Sequence, residues 1–417
     1  MAFSRAFMQL RPIVSALGRH KVATLLIVLQ VALTLAVASN ALFMVATRMV
    51  HLSRSTGTDE AHLFVMRSSW AMGLTAGQID ANIRADLDAL RHVAGVRDVI
   101  ASNSYPLGGN VAGMLTTRLK LTMEQATRPQ FAMVYAADEH AIDTLGVSLI
   151  AGRNFRSDEI STIGPNDKLK TPGIIVTRDL ADKLFPDGSA LGRTVFLPGG
   201  PSAIIGIVAD LQGPLSITRS SDADSVLIPA RYIDPDVVIY LVRTDGSATH
   251  EVMGRAMQAL QQRPGLHVID PKLGMFAMDA VREQAYATDQ SVATLMSIVC
   301  GLLLLATAGG IVGLSSFWVS QRRRQIGIRR SLGATSGDIL RYFHAENFLI
   351  VSSGIVLGIA LAVLANSGLM KMYELPRMPF YVPLLGALLL WLIGQLAVWG
   401  PARHAAKVAP VVAIRTT

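Results

Sequence analysis

The sequence contains a single cysteine, Cys300, among 417 residues. One thiol cannot form an intramolecular disulfide, so each domain must be held together by its own core. Cys300 lies inside an apolar run, which favours a packing role over a role as a nucleophile. Charge is also scarce, since charged residues make up 16% of the chain against 51% hydrophobic residues. This balance disfavours a purely soluble protein.

The basic excess is confined to short parts of the chain. The net charge is +8, yet residues 48–289 carry 23 basic and 27 acidic side chains, a difference of −4. The whole positive excess therefore lies outside this block. A nucleic-acid-binding domain would need the reverse distribution, so we expect no nucleic acid as a partner.

Motifs of known catalytic centres are missing from the sequence. It contains no H-E-x-x-H, no G-x-S-x-G, no cysteine pair and no Walker A sequence. His140, with Asp138, Glu139 and Asp143, is the only dense polar group, and a solvated surface turn explains it better than a metal site. We therefore expect no catalytic residue, no metal and no cofactor bound by this chain.

Four long apolar runs contain no charged residue. They cover residues 22–46, 291–319, 348–369 and 380–399, and each is long enough to cross a bilayer. The sequence predicts a membrane protein with four transmembrane α-helices. A large α+β extracytoplasmic domain lies between the first and second, and a short cytoplasmic coupling elbow lies between the second and third.

The predicted segments follow from these runs and from the charges beside them. In order they are an amphipathic cytoplasmic segment (1–21), the first span (22–46), the extracytoplasmic domain (47–290), the second span (291–319), the coupling segment (320–345), the third span (346–369), a short outer loop (370–379), the fourth span (380–400) and a cytoplasmic tail (401–417).

Arginine and lysine beside the spans set the predicted orientation. They cluster before the first span, between the second and third, and after the fourth, so both termini are expected in the cytoplasm. The first run could instead be a cleaved signal peptide. At about 25 residues it exceeds the usual 7–15 of a signal sequence, which favours a retained anchor.

The block between the first two spans mixes strand and helix patterns. Apolar residues at helical spacing predict a helix over 76–90, and a second, short helix is expected over 178–184. Residues 173–176, 203–208 and 237–242 are predicted as strands, and 161–171 has the composition of an exposed loop. An α+β domain is the natural interpretation.

The segment after the second span predicts a helical elbow. The helix is expected to continue past Val319, break at residues 332–334, and restart at Thr335, where Asp338 completes a capping box. Such an elbow exposes Ile326, Ile328 and Leu332 among arginines, a surface suited to a partner's groove. From the residues alone, ordinary inward-facing charge with an accidental glycine turn is an equally good explanation.

This segment resembles the signature R-x-x-E-I-G-[IL]-x-[RK]-A-[LI]-G-A of FtsX-like, MacB-type ABC transporter permeases, followed by a glutamate at the next span. Gln325 and Ser331 depart from the pattern, at its glutamate and alanine. Residues 145–155, 173–186, 190–193 and 204–210 resemble motifs of the MacB-type periplasmic core domain. The matching signature residues are Arg322, Ile326, Gly327, Ile328, Arg330, Leu332, Gly333, Ala334 and Glu346.

The resemblance implies a permease whose elbow docks on an ATPase. ATP and Mg²⁺ would bind that subunit, and its movements would pass through the spans to the outer domain by mechanotransmission, for efflux or export. With about 21 residues ahead of the first span and no Walker motif, we expect the ATPase on a separate chain. The docking set is Arg322, Gln325, Ile326, Gly327, Ile328, Arg329, Arg330, Leu332, Gly333, Ala334 and Thr335.

The resemblance also implies further partners and a place in the cell. These are a second permease, identical or a paralogue, a periplasmic membrane-fusion adaptor with an outer-membrane channel, and the lipid of a bacterial inner membrane. Release of lipoproteins or control of a cell-wall hydrolase is the alternative within the family. A membrane sensor that works without ATP is the alternative outside it.

Polar and small residues near the spans suggest contacts between helices. Glu346 is interpreted as an interfacial residue, with Arg341 or Arg403 as its partner. A membrane enzyme is disfavoured because the span cores contain no ionisable group. Two small-xxx-small pairs would let helices approach closely, within the chain or in a dimer: Gly309 with Gly313, and Gly354 with Gly358.

Overall fold

The computed structural model describes residues 21–52, 54–70, 73–108, 115–124, 129–214, 224–246, 248–263, 267–270, 274–373 and 377–406. The amphipathic N-terminal segment and the end of the cytoplasmic tail, both predicted above, lie outside these residues. The chain divides into two compact units. Arg54–Thr288 form the inter-span domain, and the remaining residues form the helical bundle.

The helical bundle is built from the four predicted spans and the elbow. Four helices are long and apolar enough to cross a membrane, as the sequence predicts. All four extend beyond their apolar runs, because a helix continues wherever its backbone bonds can be made. The bundle helices are α1 (Lys21–Leu52), α6 (Met278–Gln321), α7 (Arg323–Ser331), α8 (Ser336–Tyr373) and α9 (Tyr381–Ala406).

Helices α1 and α8 touch through glycine. A Cβ atom at Gly354 would lie 2.7 Å from the Cβ of Val31, and one at Gly358 would lie 2.9 Å from the Cβ of Leu35. The absence of a side chain therefore allows the two helices to approach closely. By contrast, a Cβ at Gly309 or Gly313 of α6 would meet no atom within 4 Å from outside its own helix. One of the two predicted glycine pairs is thus used inside this chain.

Helix α6 is joined to α1 by polar contacts at mid-span. The hydroxyls of Thr34 and Thr307 are 2.8 Å apart, and Gln30 Nε2 donates to the carbonyl of Ala306 at 3.0 Å. Nearer the start of α6, the buried thiol of Cys300 packs in a small apolar cluster with Ala38 and Ala41. The packing role expected for this cysteine agrees with its position.

The inter-span domain contains two β-sheets. One has the strand order β12-β1-β11-β2, with β13 also pairing β1, and all its pairings are antiparallel. The other is mixed and has the order β3-β4-β10-β7-β9-β5, with β6 added to β10 and β8 added to β9. The strands are β1 (Leu63–Trp70), β2 (Val96–Ser102), β3 (Leu115–Leu119), β4 (Gln130–Ala137), β5 (Leu149–Gly152), β6 (Ser161–Ile163), β7 (Gly173–Thr177), β8 (Thr194–Leu197), β9 (Gly200–Val208), β10 (Ser225–Tyr232), β11 (Val238–Thr244), β12 (His267–Val268) and β13 (Met275–Ala277).

The two sheets and the domain's helices form successive layers around apolar cores. Successive side chains of β1 point to opposite faces of the sheet. Phe64 and Met66 pack in a core shared with two helices. Leu63 and Val65 pack in a core shared with the second sheet. The opposite face of the second sheet is covered by the short helix Arg178–Leu184. The helices of this domain are α2 (Ala76–Arg91), α3 (Ala141–Leu145), α4 (Arg178–Leu184) and α5 (Thr249–Gln261).

Most predicted elements of this domain are confirmed. The helix over 76–90 is α2, the helix over 178–184 is α4, and the strands predicted over 173–176 and 203–208 lie within β7 and β9. The strand predicted over 237–242 is β11, which begins one residue later, at Val238. The predicted loop over 161–171 is wrong at its start. Residues 161–163 form β6, which pairs in parallel with the end of β10. This pairing is with a distant segment, so local composition could not reveal it.

The dense polar group around His140 is an ion-pair cluster at the end of β4. His140 Nδ1 lies 2.8 Å from Asp98 Oδ2, and Arg97 donates to the carboxylate of Asp143 at 2.7 Å. Asp138 is buried, and its Oδ1 accepts the backbone N–H of His140. Burial raises the pKa of the Asp138 carboxyl to about 6, against the smaller opposing effect of His140.

Substitution of Gly358 by leucine is expected to destabilise the bundle. The new side chain would overlap Leu35 and the carbonyl of Ala32, so α1 and α8 must move apart, at a cost of about 1–3 kcal/mol. Thermal unfolding of the purified protein in detergent measures the change. Gly368→Leu is the matched control, because Gly368 lies on the same helix and a Cβ atom there would meet no atom within 4 Å. Equal loss of stability in both variants would contradict the packing described here.

The contribution of Asp138 to the stability of the inter-span domain should rise as the pH falls from about 6 towards 4. In this window the raised pKa makes native Asp138 take up a proton that the unfolded chain does not bind. Asp138→Asn removes the ionisation cost while keeping an acceptor for His140. It should therefore be more stable than the unsubstituted protein at pH 7.5, by up to about 3 kcal/mol, and similar at pH 4.5. Thermal unfolding at both pH values tests this, and a pH-independent difference would contradict it.

Candidate functional site: the elbow between the second and third spans

The elbow forms through backbone and side-chain bonds that its sequence encodes locally. Helix α7 ends where Gly333 adopts a left-handed conformation, with φ of 98°, and the N–H of Ala334 donates to the carbonyl of Arg329 at 3.0 Å. Thr335 Oγ1 then accepts the N–H of Asp338, while Asp338 Oδ2 accepts from the backbone N–H and hydroxyl of Thr335. The predicted break and capping box are both confirmed.

A second interruption lies at Arg322, which separates α6 from α7. The sequence analysis predicted one continuous helix across this position, so this expectation is wrong. The backbone bonds from Arg322 to Trp318 and from Ile326 to Arg322 remain, which makes the interruption a single residue. Its consequence is that α7 is a separate nine-residue helix.

The side chain of Arg322 forms a buried ion pair with Glu346 of α8. Its Nη1 lies 3.0 Å from one carboxylate oxygen of Glu346 and 2.9 Å from the other. The exposed fractions of the two side chains are 13% and 2%. A pair so removed from water needs both charges, because either one alone would be buried without compensation.

This partner differs from those proposed from the sequence. Arg341 lies on the exposed side of the first turns of α8, and Arg403 of α9 stacks on the ring of Trp399 at 3.8 Å. Glu346 is 2% exposed and lies in α8 just before the apolar run that begins at residue 348. Its charge is tolerated there because the guanidinium of Arg322 reaches it.

Helix α7 has a buried face and an exposed face. Ile326 is buried in the bundle core with Ile339 and Phe343 of α8, although the sequence analysis expected it to be exposed. The rotation of α7 that brings Arg322 to Glu346 also turns Ile326, one helical turn later, towards α8. Gly327 is buried beside it.

The exposed face of α7 combines apolar and basic side chains. Ile328 is 46% exposed and Leu332 is 82% exposed, as predicted. Arg329 is also exposed and lies over the ring of Tyr342, 4.9 Å from its centre. Gln325 is exposed, and the side chain of Arg330 lies outside the described residues. A binding surface of this kind offers an apolar anchor with cations around it.

Polar residues that the sequence analysis did not single out continue from the ion pair into the bundle. His344 Nδ1 lies 2.6 Å from Gln395 Oε1 of α9, and Asn347 is buried next to Glu346. Gln395 is one of the few amides inside the apolar runs, and Asn347 lies directly before the third run, which is the signal that could have revealed them. Together with the ion pair they tie α7, α8 and α9 together.

The described residues contain no group of three or more His, Cys, Asp or Glu side chains that could hold a metal ion. The acidic residues of the inter-span domain near His140 are instead paired with arginine and histidine. The exposed side chains of the elbow described above are apolar at Ile328 and Leu332 and basic at Arg329.

Comparison with known families identifies both parts of the chain. Residues 25–260 match the MacB-like periplasmic core domain, and residues 297–410 match the C-terminal domain of FtsX-like permeases. The chain is a MacB-like, FtsX-like ABC transporter permease. Its inter-span domain is therefore the family's extracytoplasmic domain, and the elbow lies within the permease domain.

Several curated relatives share moderate sequence identity with this permease. It is 26% identical to the macrolide export ATP-binding/permease protein MacB 1/2 of Paracoccus denitrificans, over 86% of this chain and 51% of the relative. It is 24% identical to the permease YvrN of Bacillus subtilis, over 69% of this chain and 71% of the relative. The chain spans about half or less of the ATP-binding/permease relatives.

Two solved extracytoplasmic domains are also similar to part of this permease. The periplasmic region of MacB from Actinobacillus actinomycetemcomitans covers 56% of this chain, with 97% of that region aligned, 13% identity and a TM-score of 0.34. The extracellular domain of YknZ from Gram-positive bacteria covers 49% of this chain, with 99% of that domain aligned, 16% identity and a TM-score of 0.30. The family assignment rests on the sequence matches.

Glu346→Gln is expected to destabilise the bundle by about 3–5 kcal/mol, because the guanidinium of Arg322 would stay buried without its counter-charge. The double variant Arg322→Met with Glu346→Leu should recover much of this loss, since it removes both charges. Chemical unfolding in detergent of Arg322→Met, Glu346→Leu and their combination forms the double-mutant cycle that measures the coupling.

Glu251→Gln is the control for this measurement. Glu251 pairs with Arg255 at 3.9 Å on the surface of the inter-span domain, where its side chain is 74% exposed. Exposed pairs contribute about 0–1 kcal/mol. If Glu346→Gln cost no more than this control, the ion pair would not hold the elbow in place.

Proposed function

We propose that this chain is the permease subunit of an ABC exporter and that its elbow receives the movement of an ATP-hydrolysing subunit. The observation that carries the proposal is the fixed exposure of Ile328 and Leu332 on a basic helix. The buried pair of Arg322 with Glu346 holds α7 against α8, so that a force on the exposed face moves α8 as well.

The nucleotide-binding subunit is proposed to be a separate polypeptide that binds ATP and Mg²⁺. The relatives named ATP-binding/permease proteins support a link between this permease type and ATP. The 417 residues contain no Walker A sequence, so this chain would contribute the docking surface and not the nucleotide site. Its apolar anchor would enter a groove of the ATPase, and the surrounding arginines would face acidic groups.

Helix α6 provides a route for movement to the outer domain. It begins at Met278 within the inter-span domain and ends at Gln321, directly before the arginine of the ion pair. At its start, Arg282 is held by Glu60 at 2.7 Å and by the carbonyl of Arg54 at 2.6 Å, both within the inter-span domain. We propose that displacement of the elbow is transmitted along this helix, which is mechanotransmission without passage of solute between the spans.

A second copy or a paralogue is proposed to complete the membrane part. The glycine pair of α6, Gly309 and Gly313, supports this proposal because no other helix of the described bundle fills the space beside it. Close contact of two α6 helices would use the same packing that α1 and α8 use through Gly354 and Gly358.

The chain is proposed to lie in a bacterial inner membrane with both termini in the cytoplasm. The basic flanks of the spans support this orientation. Relatives named as exporters of macrolides and of pyoverdine support export. A periplasmic adaptor and an outer-membrane channel are proposed as further partners. Recovery of a lipoprotein or a cell-wall hydrolase on the outer domain, without an adaptor, would favour the alternative role.

Ile328→Glu is expected to reduce ATP hydrolysis in a reconstituted complex to the level of the ATPase subunit alone. The substitution places a charge in the apolar anchor and would weaken docking at least tenfold, about 1.4 kcal/mol. The measurements are ATPase activity in proteoliposomes and co-elution of the subunits from native membranes in mild detergent.

Gln321→Glu is the matched control, because it adds the same charge beside the elbow but outside the docking set. Gln321 is exposed at the end of α6, so activity should stay within about twofold of the unsubstituted complex. Full stimulation by a membrane-inserted Ile328→Glu variant would overturn the docking assignment. Co-elution of no ATPase with the unsubstituted protein would favour a sensor.

A further inference from the structure

An apolar groove runs between α1, α6 and α8 in the helical bundle. Its volume is about 500 Å³, within the range of about 300–1,000 Å³ typical of small-molecule sites. Its buried floor contains Ala36, Asn40 and Ala41 of α1. Exposed side chains, among them Leu33 of α1 and Leu364 of α8, form its rim.

The groove lies in the half of the bundle at which α1 and α6 connect to the inter-span domain. Its residues occupy the second half of the apolar part of α1, the start of that of α6 and the end of that of α8. In the membrane orientation given under the proposed function, on which this step rests, the groove is open to the outer leaflet of the surrounding lipid.

Asn40 is a polar residue in an otherwise apolar site. Its side chain is 6% exposed, and its Nδ2 donates to the carbonyl of Ala36 at 2.9 Å and to the carbonyl of Ala362 at 3.1 Å. These two bonds fix the orientation of the amide, because a flipped amide would place its oxygen against two carbonyl oxygens. The remaining atom, Oδ1, is buried and has no hydrogen-bond partner.

An unpaired buried acceptor costs free energy that a bound donor would recover. Serine and threonine hydroxyls in a span can bond to their own helix, but a fixed amide oxygen depends on a donor from outside. The ester carbonyls and hydrocarbon chains of ordinary diacyl lipids offer no donor. The occupant that suits this site therefore has a hydrocarbon chain for the groove and an N–H or O–H group for Asn40.

We propose that the groove is a binding site for an amphiphile that carries an amide N–H or a hydroxyl beside its hydrocarbon chain, taken up laterally from the outer leaflet. Its donor bonds Asn40 Oδ1 at the floor, and its chain lies against α1 and α8. Met44 and Met296 line the groove, and their flexible side chains allow the donor to reach the buried oxygen. The site is independent of ATP coupling at the elbow.

The test uses two photoreactive probes with the full-length protein in phosphatidylcholine nanodiscs. One probe is a C16 fatty amide with a diazirine in its chain, and the other is the matching ester, in which an oxygen replaces the N–H. After irradiation, mass spectrometry locates the labelled peptides. The amide should label residues 33–44, 296 and 361–365 about threefold to tenfold more than the ester.

Three substitutions distinguish the effect of the hydrogen bond to Asn40 from the effect of the space in the groove. Asn40→Leu should reduce the amide-to-ester ratio to about one, because it removes the acceptor, and this ratio is independent of the total yield. Ala365→Phe should reduce labelling by both probes, because its ring enters the groove. Val363→Phe is the control, since Val363 is exposed on the same helix but does not line the groove.

Equal labelling of the unsubstituted protein by the amide probe and the ester probe would overturn the proposal. The proposal would also be overturned if the Asn40→Leu variant kept the preference for the amide probe. If neither probe labels the groove while Val37→Cys cross-links two copies, a second copy covers this face and the proposal is wrong. ATPase stimulation by the elbow is not measured in this experiment, so the outcome is separate from that of the proposed function.

Discussion

The carboxylate of Glu346 is buried beside the apolar run of α8, and the guanidinium of Arg322 meets it there. An ion pair in such surroundings tolerates little change in geometry, because separation would leave two charges without water. The position of Arg322 therefore fixes where α7 begins and which face it turns outward. The exposure of Ile328, the burial of Ile326 and the rigid contact with α8 all depend on this pair.

The elbow was largely predictable because its signals are local. Gly333, Thr335 and Asp338 act within a few residues of one another, and their conformations follow from backbone bonding rules. The ion pair was not predictable from charge alone, because several arginines lie within reach of Glu346 along the sequence. The choice of Arg322 depends on the interruption before α7, which orients the helix and which periodicity does not show.

In the inter-span domain, too, features with local signals were predictable and contacts between distant segments were not. Helix α2 was predicted because Ile79, Ile83 and Leu87 repeat at helical spacing, and β9 because its residues alternate. The order of the strands was not predictable, since β10 pairs with β4, β6 and β7, segments far from it in sequence. Strand β6 exists only through such a pairing, which explains why its polar composition predicted a loop.

The single cysteine has a practical consequence for site-specific labelling of this chain. The thiol of Cys300 is packed against Ala38 and Ala41, where water-soluble reagents cannot reach it. A cysteine introduced on a surface would therefore be the one thiol that reacts, without prior removal of native ones. Pairs of spin or fluorescent labels could then report distances between helices in a chain that keeps its natural core.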